Sequence, residues 1–368
     1  MSEVQAVGGE YSYLPIERVH FGPETISRLA EELDRIKSQR PFVMTGKTIA
    51  EKTRLVDAVE KASGRKLAGV FSGVKQHAPI SGIKQAISQA QKARADSLVS
   101  LGCGSPIDST KVVVKELSEN FAKPIIAHLA IPTTLSAAEF SHSAGMTDDT
   151  TKRKIGVRDP RLVPRLIFLD PKITIDTPSW LWACTGIRSL DHAVESIYSQ
   201  RHQPYVDTLA LESIALLFQN LKRSTDNPTE TAPRLACQTA AWMSFTGVQS
   251  VGTGLSHAIG RVIGATWNIP HGITSCLTLS EVMKHQARKY PERLALIAKA
   301  EGQESKGLSK DKQAQHASER VGELVKDLGL AKRLSDYGIR REDLPSIARD
   351  ASGPEEYSMA LDVLEAIL

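Results

Sequence analysis

The sequence predicts a two-part fold of class α/β plus all-α, with a parallel-sheet domain over residues 1–172 and a helical domain over 173–368. Three observations lead there. Short apolar runs alternate with helix-period stretches through the first 170 residues, long helical patterns alone follow, and 368 residues suit roughly two domains. Strand-helix alternation implies a parallel sheet covered on both faces. Such sheets take ligands at the carboxyl ends of their strands.

The elements follow in order. Ile26, Leu29, Leu33 and Ile36 fall on one helical face, with Pro23 near the start. PFVMT (41–45) reads as a strand, about 49–62 as a helix, AGVF (68–71) as a strand and 80–93 as a helix. SLVSLG (97–102) and PIIAHLAIP (124–132) read as buried strands around a helix over 106–117. DPKITIDTP (170–178) carries two prolines and marks the boundary. Beyond it, 181–199, 206–221, 232–247, 250–264, 272–289 and 313–328 read as helices, and the polar stretch 302–315 as a surface loop or helix start.

Composition excludes several functions. Lysine and arginine number 46 against 42 acidic residues, a formal charge of +4 without single-sign blocks, so nucleic acid is not an expected partner. With 41% hydrophobic and 24% charged residues, the chain has a core to bury. No run approaches the roughly 18 apolar residues of a membrane span. The start, MSEVQAVGGEYSYLP, lacks the basic flank and apolar core of a secretory signal. Cys103, Cys184, Cys237 and Cys276 lie far apart, so neither a disulfide framework nor a zinc ribbon is expected. A cytoplasmic enzyme acting on a small molecule is the expectation that remains.

The sharpest local feature is SLVSLGCGSPIDSTK (97–111), where a strand runs through Gly102, Cys103 and Gly104 into a helix. Ser105 is placed as N-cap, Pro106 as first helical residue and Asp108 as the partner of a capping box. Small residues and a helix N-terminus suit a pyrophosphate, although the turn matches neither a GxGxxG fingerprint nor a Walker A loop. A second loop, IPTTLSAAEFSHSAGMTD (131–148), follows the next strand and is dense in hydroxyls, among them Thr133, Thr134 and Ser136. An ordinary strand-to-helix turn and a solvated loop are the plainer readings. In the helical half stand His192 in GIRSLDHAVES, His257 in GLSHAIGRVIG and His271 in NIPHGITS. Converging imidazoles bind Fe or Zn, but separations of 65 and 14 residues match no local ligand rule, so spacing alone favours three separate interior histidines.

GCGSPIDSTK, IPTT, the HAVE of 192–195, GLSHAIG and IPHGI occur in order, and together they resemble the iron-containing alcohol dehydrogenase superfamily, which includes the maleylacetate reductases. The likeness runs from VHFGP (19–23) past residue 290. It implies a Rossmann-like N-terminal domain, a helical C-terminal domain, NAD(P) in the cleft, reduction of a carbonyl or the reverse, and a homodimer. Gly102, Gly104, Ser105 and Asp108 match the family's pyrophosphate loop, with Cys103 in place of its middle glycine; that cysteine needs a negative φ. Thr133 and Thr134 match a threonine pair beside the cofactor, with Ser136 nearby, and Lys154 matches a cofactor lysine. Where NAD-selective members keep an Asp after the first strand, TGK (45–47) has Gly46 and then Lys47. That change favours accepting the 2′-phosphate of NADP(H) over strict use of NAD(H).

Metal-dependent members hold the ion with one Asp and three His, the Asp four residues before the first His. Arg188 stands at that position, while His192, His257 and His271 are retained. A guanidinium cannot ligate a cation, and at ~4 Å and a dielectric near 20 it costs each unit of cation charge about 4 kcal/mol. Asp191 lies about 100° further round the helix and is not expected to substitute. A further family histidine is replaced by Arg261. The residues therefore resemble a metal-independent, maleylacetate-reductase-like NAD(P)H-dependent carbonyl reductase. In it Arg188 and Arg261 bind a substrate carboxylate or polarise the carbonyl, and one histidine supplies the proton. QHAP (76–79) leans the same way, whereas PIDSTK (106–111) leans toward the alcohol dehydrogenase branch. A salt bridge from Arg188 to Asp191 is the plainer alternative for that residue. Other readings stay open: a dehydrogenase holding Fe or Zn on His192, His257 and His271, a non-redox lyase or synthase on the dehydroquinate-synthase-like scaffold, and an inactive nucleotide-binding protein.

Overall fold

The computed structural model describes residues 8–76, 78–119, 126–149, 154–302 and 307–368. It divides into two compact units, Tyr13–Thr177 and Pro178–Leu368, with residues 8–12 joining the second. The division falls five residues beyond the expected 172/173 boundary. A short turn, Pro171–Thr174, closed by the Asp170 carboxylate on the Lys172 amide, keeps those extra residues with the first unit.

The first unit is a six-stranded sheet with all strands parallel, in the order β1-β8-β5-β4-β2-β3. Its strands are β1 (Arg18–Phe21), β2 (Pro41–Gly46), β3 (Gly69–Val74), β4 (Ser97–Gly102), β5 (Ala127–Pro132) and β8 (Leu166–Leu169). Its helices are α1 (Leu29–Arg35), α2 (Lys47–Lys52), α3 (Leu55–Ser63), α4 (Ile80–Lys92) and α5 (Gly104–Leu117). Alternate residues serve opposite faces. Val43, Val99 and Leu129 pack with Leu29 and Leu33 of α1 and Val59 of α3, while Phe42, Met44 and Leu98 pack with Ile83 and Ala86 of α4 and Val113 of α5. Burial on both faces explains why the central strands read as continuous apolar runs.

Several expectations need correction. The single helix expected at 49–62 is two, α2 and α3, because Thr53 is extended between them. The loop expected over 131–148 ends in a strand. β6 (Ser143–Thr147) pairs antiparallel with β7 (Lys154–Arg158), and each strand has only two alternating apolar residues, Ala144 and Met146 against Val157 and Ile155, too short a pattern to stand out. β1 and β8 were not anticipated. LIFL of β8 has only four residues, and RVHF of β1 is an edge strand with one apolar partner face.

The second unit is helical: α6 (Ser179–Tyr198), α7 (Pro204–Asp226), α8 (Thr231–Thr246), α9 (Val248–Val251), α10 (Leu255–Thr266), α11 (His271–Lys289), α12 (Pro291–Ala300), α13 (Lys310–Asp327), α14 (Leu344–Ala351) and α15 (Tyr357–Ala366). The helix expected over 250–264 is thus split, with Gly252 at φ 83° breaking it between α9 and α10. α6 is buried over nearly its whole length and packs against α7, α8 and α11, so its buried polar residues Asp191, His192 and Glu195 need partners inside the unit. Residues 8–12 are pinned to this unit by the Tyr11 hydroxyl on the Thr246 carbonyl (2.8 Å) and by Gln203 Nε2 on the Glu10 carbonyl (3.0 Å). No described helix is long and apolar enough to cross a membrane.

Candidate active site

In the α/β unit, β4 ends in Gly102 at φ 140°, a value that favours glycine. A Cβ there would also lie 3.0 Å from Pro106 Cγ. Cys103 follows at φ −77°, which any residue adopts. Cys103, not Ser105, is the N-cap, and no side chain caps the helix. The capping box expected from Ser105 and Asp108 therefore does not form. Asp108 instead accepts from Lys111 Nζ at 3.1 Å, and the same buried ammonium donates to the carbonyls of Ala138 (2.7 Å) and Ser143 (2.9 Å). Lys111 so ties the start of α5 to the following loop, a role the sequence reading missed although the motif contains it.

That loop closes over Gly104, whose Cβ would lie 3.3 Å from Ser136 Oγ. Thr133 donates its amide to the Gly102 carbonyl (3.0 Å) and its own carbonyl accepts from Thr177 Oγ1 (2.7 Å). The hydroxyls of Thr134 and Ser136 are buried with no hydrogen-bond partner among the described residues. Uncapped amides, two glycines and two unpaired buried hydroxyls form a donor-rich cradle that fits a dinucleotide's phosphates. Glu139, buried beside this loop, has its pKa pushed up to about 7 by desolvation, against the pull of Lys111. Gly46 ends β2, and Lys47 opens α2, its ammonium exposed and 3.7 Å from Glu51. The side chain of Lys154, on β7, and His77 of the QHAP segment lie outside the described residues.

In the helical unit the charged residues converge on α6. Asp191, expected to point away, is central and fully buried. Its Oδ2 accepts from Ser256 Oγ of α10 (2.8 Å) and Ser275 Oγ of α11 (2.6 Å), and lies 3.8 Å from Arg188 Nη1. The expectation failed because α6 is enclosed, so more than one of its faces meets the site. Arg188 also donates to Ser275 Oγ at 3.0 Å. Glu195, one turn beyond Asp191, accepts from the amides of Gly254 and Ser256 at the start of α10. A Cβ at residue 254 would lie 2.9 Å from its carboxylate, which is why glycine stands there. His257 Nδ1 sits 2.7 Å from Glu195 Oε2 and 3.3 Å from Asp191 Oδ2.

Burial and the Arg188 charge push the His257 pKa down, but Asp191 and Glu195 outweigh them and raise it. Burial would raise the Asp191 carboxyl, but His257 and Arg188 hold it below its ordinary value. His192, whose ring centroid lies 4.7 Å from that of His257, is held neutral, first by burial and then by the His257 and Arg188 charges. His271 opens α11. Arg261 of α10 is exposed, touches Thr253 Oγ1 at 3.4 Å, and lies near enough to Arg188 to add to the downward push of burial on its pKa.

The structure does not gather the three histidines as one donor set. Among the described residues, the group able to hold an ion is Asp191, Glu195 and His257, with donor atoms within 4.8 Å of one another. Asp191 Oδ2, Glu195 and His257 Nδ1 are engaged with serine hydroxyls, backbone amides and one another, while Asp191 Oδ1 and His257 Nε2 are buried without a hydrogen-bond partner among the described residues. The Arg188 guanidinium, 3.8 Å from Asp191 Oδ2, opposes a cation here, so the one-Asp, three-His set of the metal-dependent members does not fit this site.

Comparison with known proteins shows that the chain, with its cluster of His and Arg residues in the helical unit and its donor-rich glycine turn in the parallel-sheet unit, is an alcohol-dehydrogenase-type oxidoreductase acting on CH–OH/C=O groups. The family model for iron-containing alcohol dehydrogenase matches residues 16–171, and that for the C-terminal part of the Fe-containing alcohol dehydrogenase family matches 182–360. The chain is 30% identical to the lactaldehyde reductase of Escherichia coli (strain K12), covering 91% of each chain. It is also 30% identical to maleylacetate reductase 1 of Cupriavidus pinatubonensis, covering 95% of this chain and 94% of that one. A crystal structure of a 1,3-propanediol oxidoreductase superposes with a TM-score of 0.92 at 24% identity, covering 98% of this chain and 100% of that one. The chain belongs to the iron-containing alcohol dehydrogenase family, and it is maleylacetate-reductase-like.

Proposed function

We propose that this protein is an NAD(P)H-dependent carbonyl reductase, with alcohol oxidation as its reverse, that works on a small or medium oxo substrate without a bound metal. One observation carries the reading: the Arg188 guanidinium, at the position that the motif likeness assigns to an aspartate in metal-dependent members, is built into a cluster with Asp191, Glu195 and His257. The cradle of Gly102, Gly104, Thr134 and Ser136 would hold the dinucleotide's phosphates. NAD(P)H supplies the hydride. Arg261 offers an exposed guanidinium to an oxo or carboxylate oxygen, and with Arg188 stabilises the alkoxide that forms. His257, whose pKa Asp191 and Glu195 raise, has an Nε2 with no hydrogen-bond partner among the described residues and serves as the proton source. Family likeness also supports a homodimer, and composition a cytoplasmic setting.

Metal content decides the reading. Protein purified without chelator is expected to contain well under one iron or zinc per chain and to keep its NADPH-dependent carbonyl reductase activity after dialysis against dipicolinate. The competing reading, an ion on Asp191, Glu195 and His257, rests on the proximity of those donors and requires stoichiometric metal and loss of activity on chelation.

For the coenzyme, Gly46 and Lys47 support NADPH. Replacing Lys47 by Asp should shift the NADPH/NADH ratio of kcat/KM toward NADH by about fivefold, since an exposed ion pair is worth up to about 1 kcal/mol. An unchanged ratio removes Lys47 from coenzyme selection.

A further inference from the structure

Beside the charged cluster the helical unit has a half-open cavity of about 250 Å³. Glu195 and Arg261 border it, and Tyr198, Gln286, Tyr290 and Glu356 complete the part of the wall that matters chemically. Glu195 is spent on backbone amides and His257, and the Tyr198 hydroxyl lies 3.4 Å from it. Three polar groups of the wall are not spent. Gln286 is only 4% exposed, yet its Oε1 has no hydrogen-bond partner among the described residues. The Glu356 carboxylate makes no hydrogen bond or ion pair among the described residues, and the Arg261 guanidinium has only its long contact to Thr253. Arg261 and Glu356 share this wall without pairing with each other.

An occupant has to donate to an amide oxygen and a carboxylate while accepting from a guanidinium. An alkyl chain satisfies none of these and leaves a buried amide oxygen unpaired. A dicarboxylate satisfies Arg261 with one end, but its second charge finds no second free cation: the Lys289 ammonium is already engaged with the Tyr290 ring and, through space, with the Glu356 carboxylate. Hydroxyl groups do both tasks, since each donates once and accepts twice. The volume has room for several water-sized groups, so a short chain with more than one hydroxyl fits.

We infer that this cavity receives the hydroxylated end of the substrate, and that the enzyme's carbonyl substrates are polyhydroxylated aldehydes or ketones rather than alkyl aldehydes or oxo-dicarboxylates. The inference rests on the proposed reductase reading and narrows it. With NADPH, kcat/KM for erythrose should exceed that for butanal, and that for an oxo-dicarboxylate such as 3-oxoadipate, by tenfold or more. Gln286→Leu should lower the erythrose/butanal ratio at least tenfold, and Glu356→Gln should raise the 3-oxoadipate/erythrose ratio several-fold. Glu356 is at the cavity's edge, so its variant reads out even if Gln286→Leu fails to fold. A separate arm does not need turnover: saturation-transfer NMR on the NADPH-loaded protein should show erythritol bound and hexane-1,6-dioate not. Erythritol binding without reduction of any carbonyl would overturn the reductase reading and leave the cavity assignment standing. Reduction of butanal or 3-oxoadipate in preference to erythrose, or equal loss on all substrates in Gln286→Leu, overturns the assignment itself.

Discussion

Arg188 shows how much a single residue can carry. Its guanidinium is largely buried and is the cation nearest the Asp191 carboxylate on the same helix. Replacing it by Met, which fills similar volume, leaves that carboxylate underbalanced, and removing one partner of a buried pair costs about 3–5 kcal/mol. Urea unfolding of Arg188→Met should show a loss of that order, while an unchanged midpoint would mean that His257 alone balances the site. At this scale the sequence was partly legible. Arg188, His192, His257, His271 and Arg261 could be singled out from spacing and family likeness. The roles of Asp191 and Glu195 could not. Their contacts run to Ser256, Ser275 and the amides at 254 and 256, all more than 50 residues away, and a helical wheel does not say how many of its sides are enclosed.

At the scale of elements, the turn from β4 into α5 is the most constrained. Gly102→Ala has to adopt a φ that side chains rarely take and to place its Cβ 3.0 Å from Pro106. Such strain costs on the order of 1–3 kcal/mol. We expect a lower melting temperature together with weaker NADPH binding, measured by calorimetry on the same sample; intact binding would mean that the cradle does not hold the phosphates. The turn itself was readable as a strand meeting a glycine pair. Its cap was not, because the helix begins two residues earlier than a cap at Ser105 allows, with Cys103 extended and Gly104 already helical. The hairpin of β6 and β7 escaped for another reason. Its strands are five residues long, and two alternating apolar residues in each are too few to separate from loop.

For the whole molecule, stability should depend on pH through Glu139. Its folded-state pKa of about 7 lies above the ordinary 4.5, so the folded chain keeps a proton that the unfolded chain releases. Its contribution is complete below pH 4.5, declines as the pH rises toward 7 and is level above that. The span corresponds to about 3 kcal/mol. Glu139→Gln, neutral throughout, should flatten this decline, and the gap between variant and parent in unfolding free energy should widen from pH 5 to pH 8. If the gap stays constant, Glu139 is ionised in the fold. The two-part architecture was evident from pattern alone, but the attachment of residues 8–12 to the helical unit was not, since it depends on pairings such as Tyr11 with Thr246 across 235 positions. The Arg188–Asp191 pairing also limits how the site can be changed. Arg188→Asp alone would set three carboxylates, at 188, 191 and 195, around a single imidazole, so an aspartate is not accommodated at 188 in one step. Residue 191 has to change first or together with it, which makes the arginine entrenched and sets a minimum of two coordinated replacements for anyone wishing to convert this enzyme into a metal-loaded one.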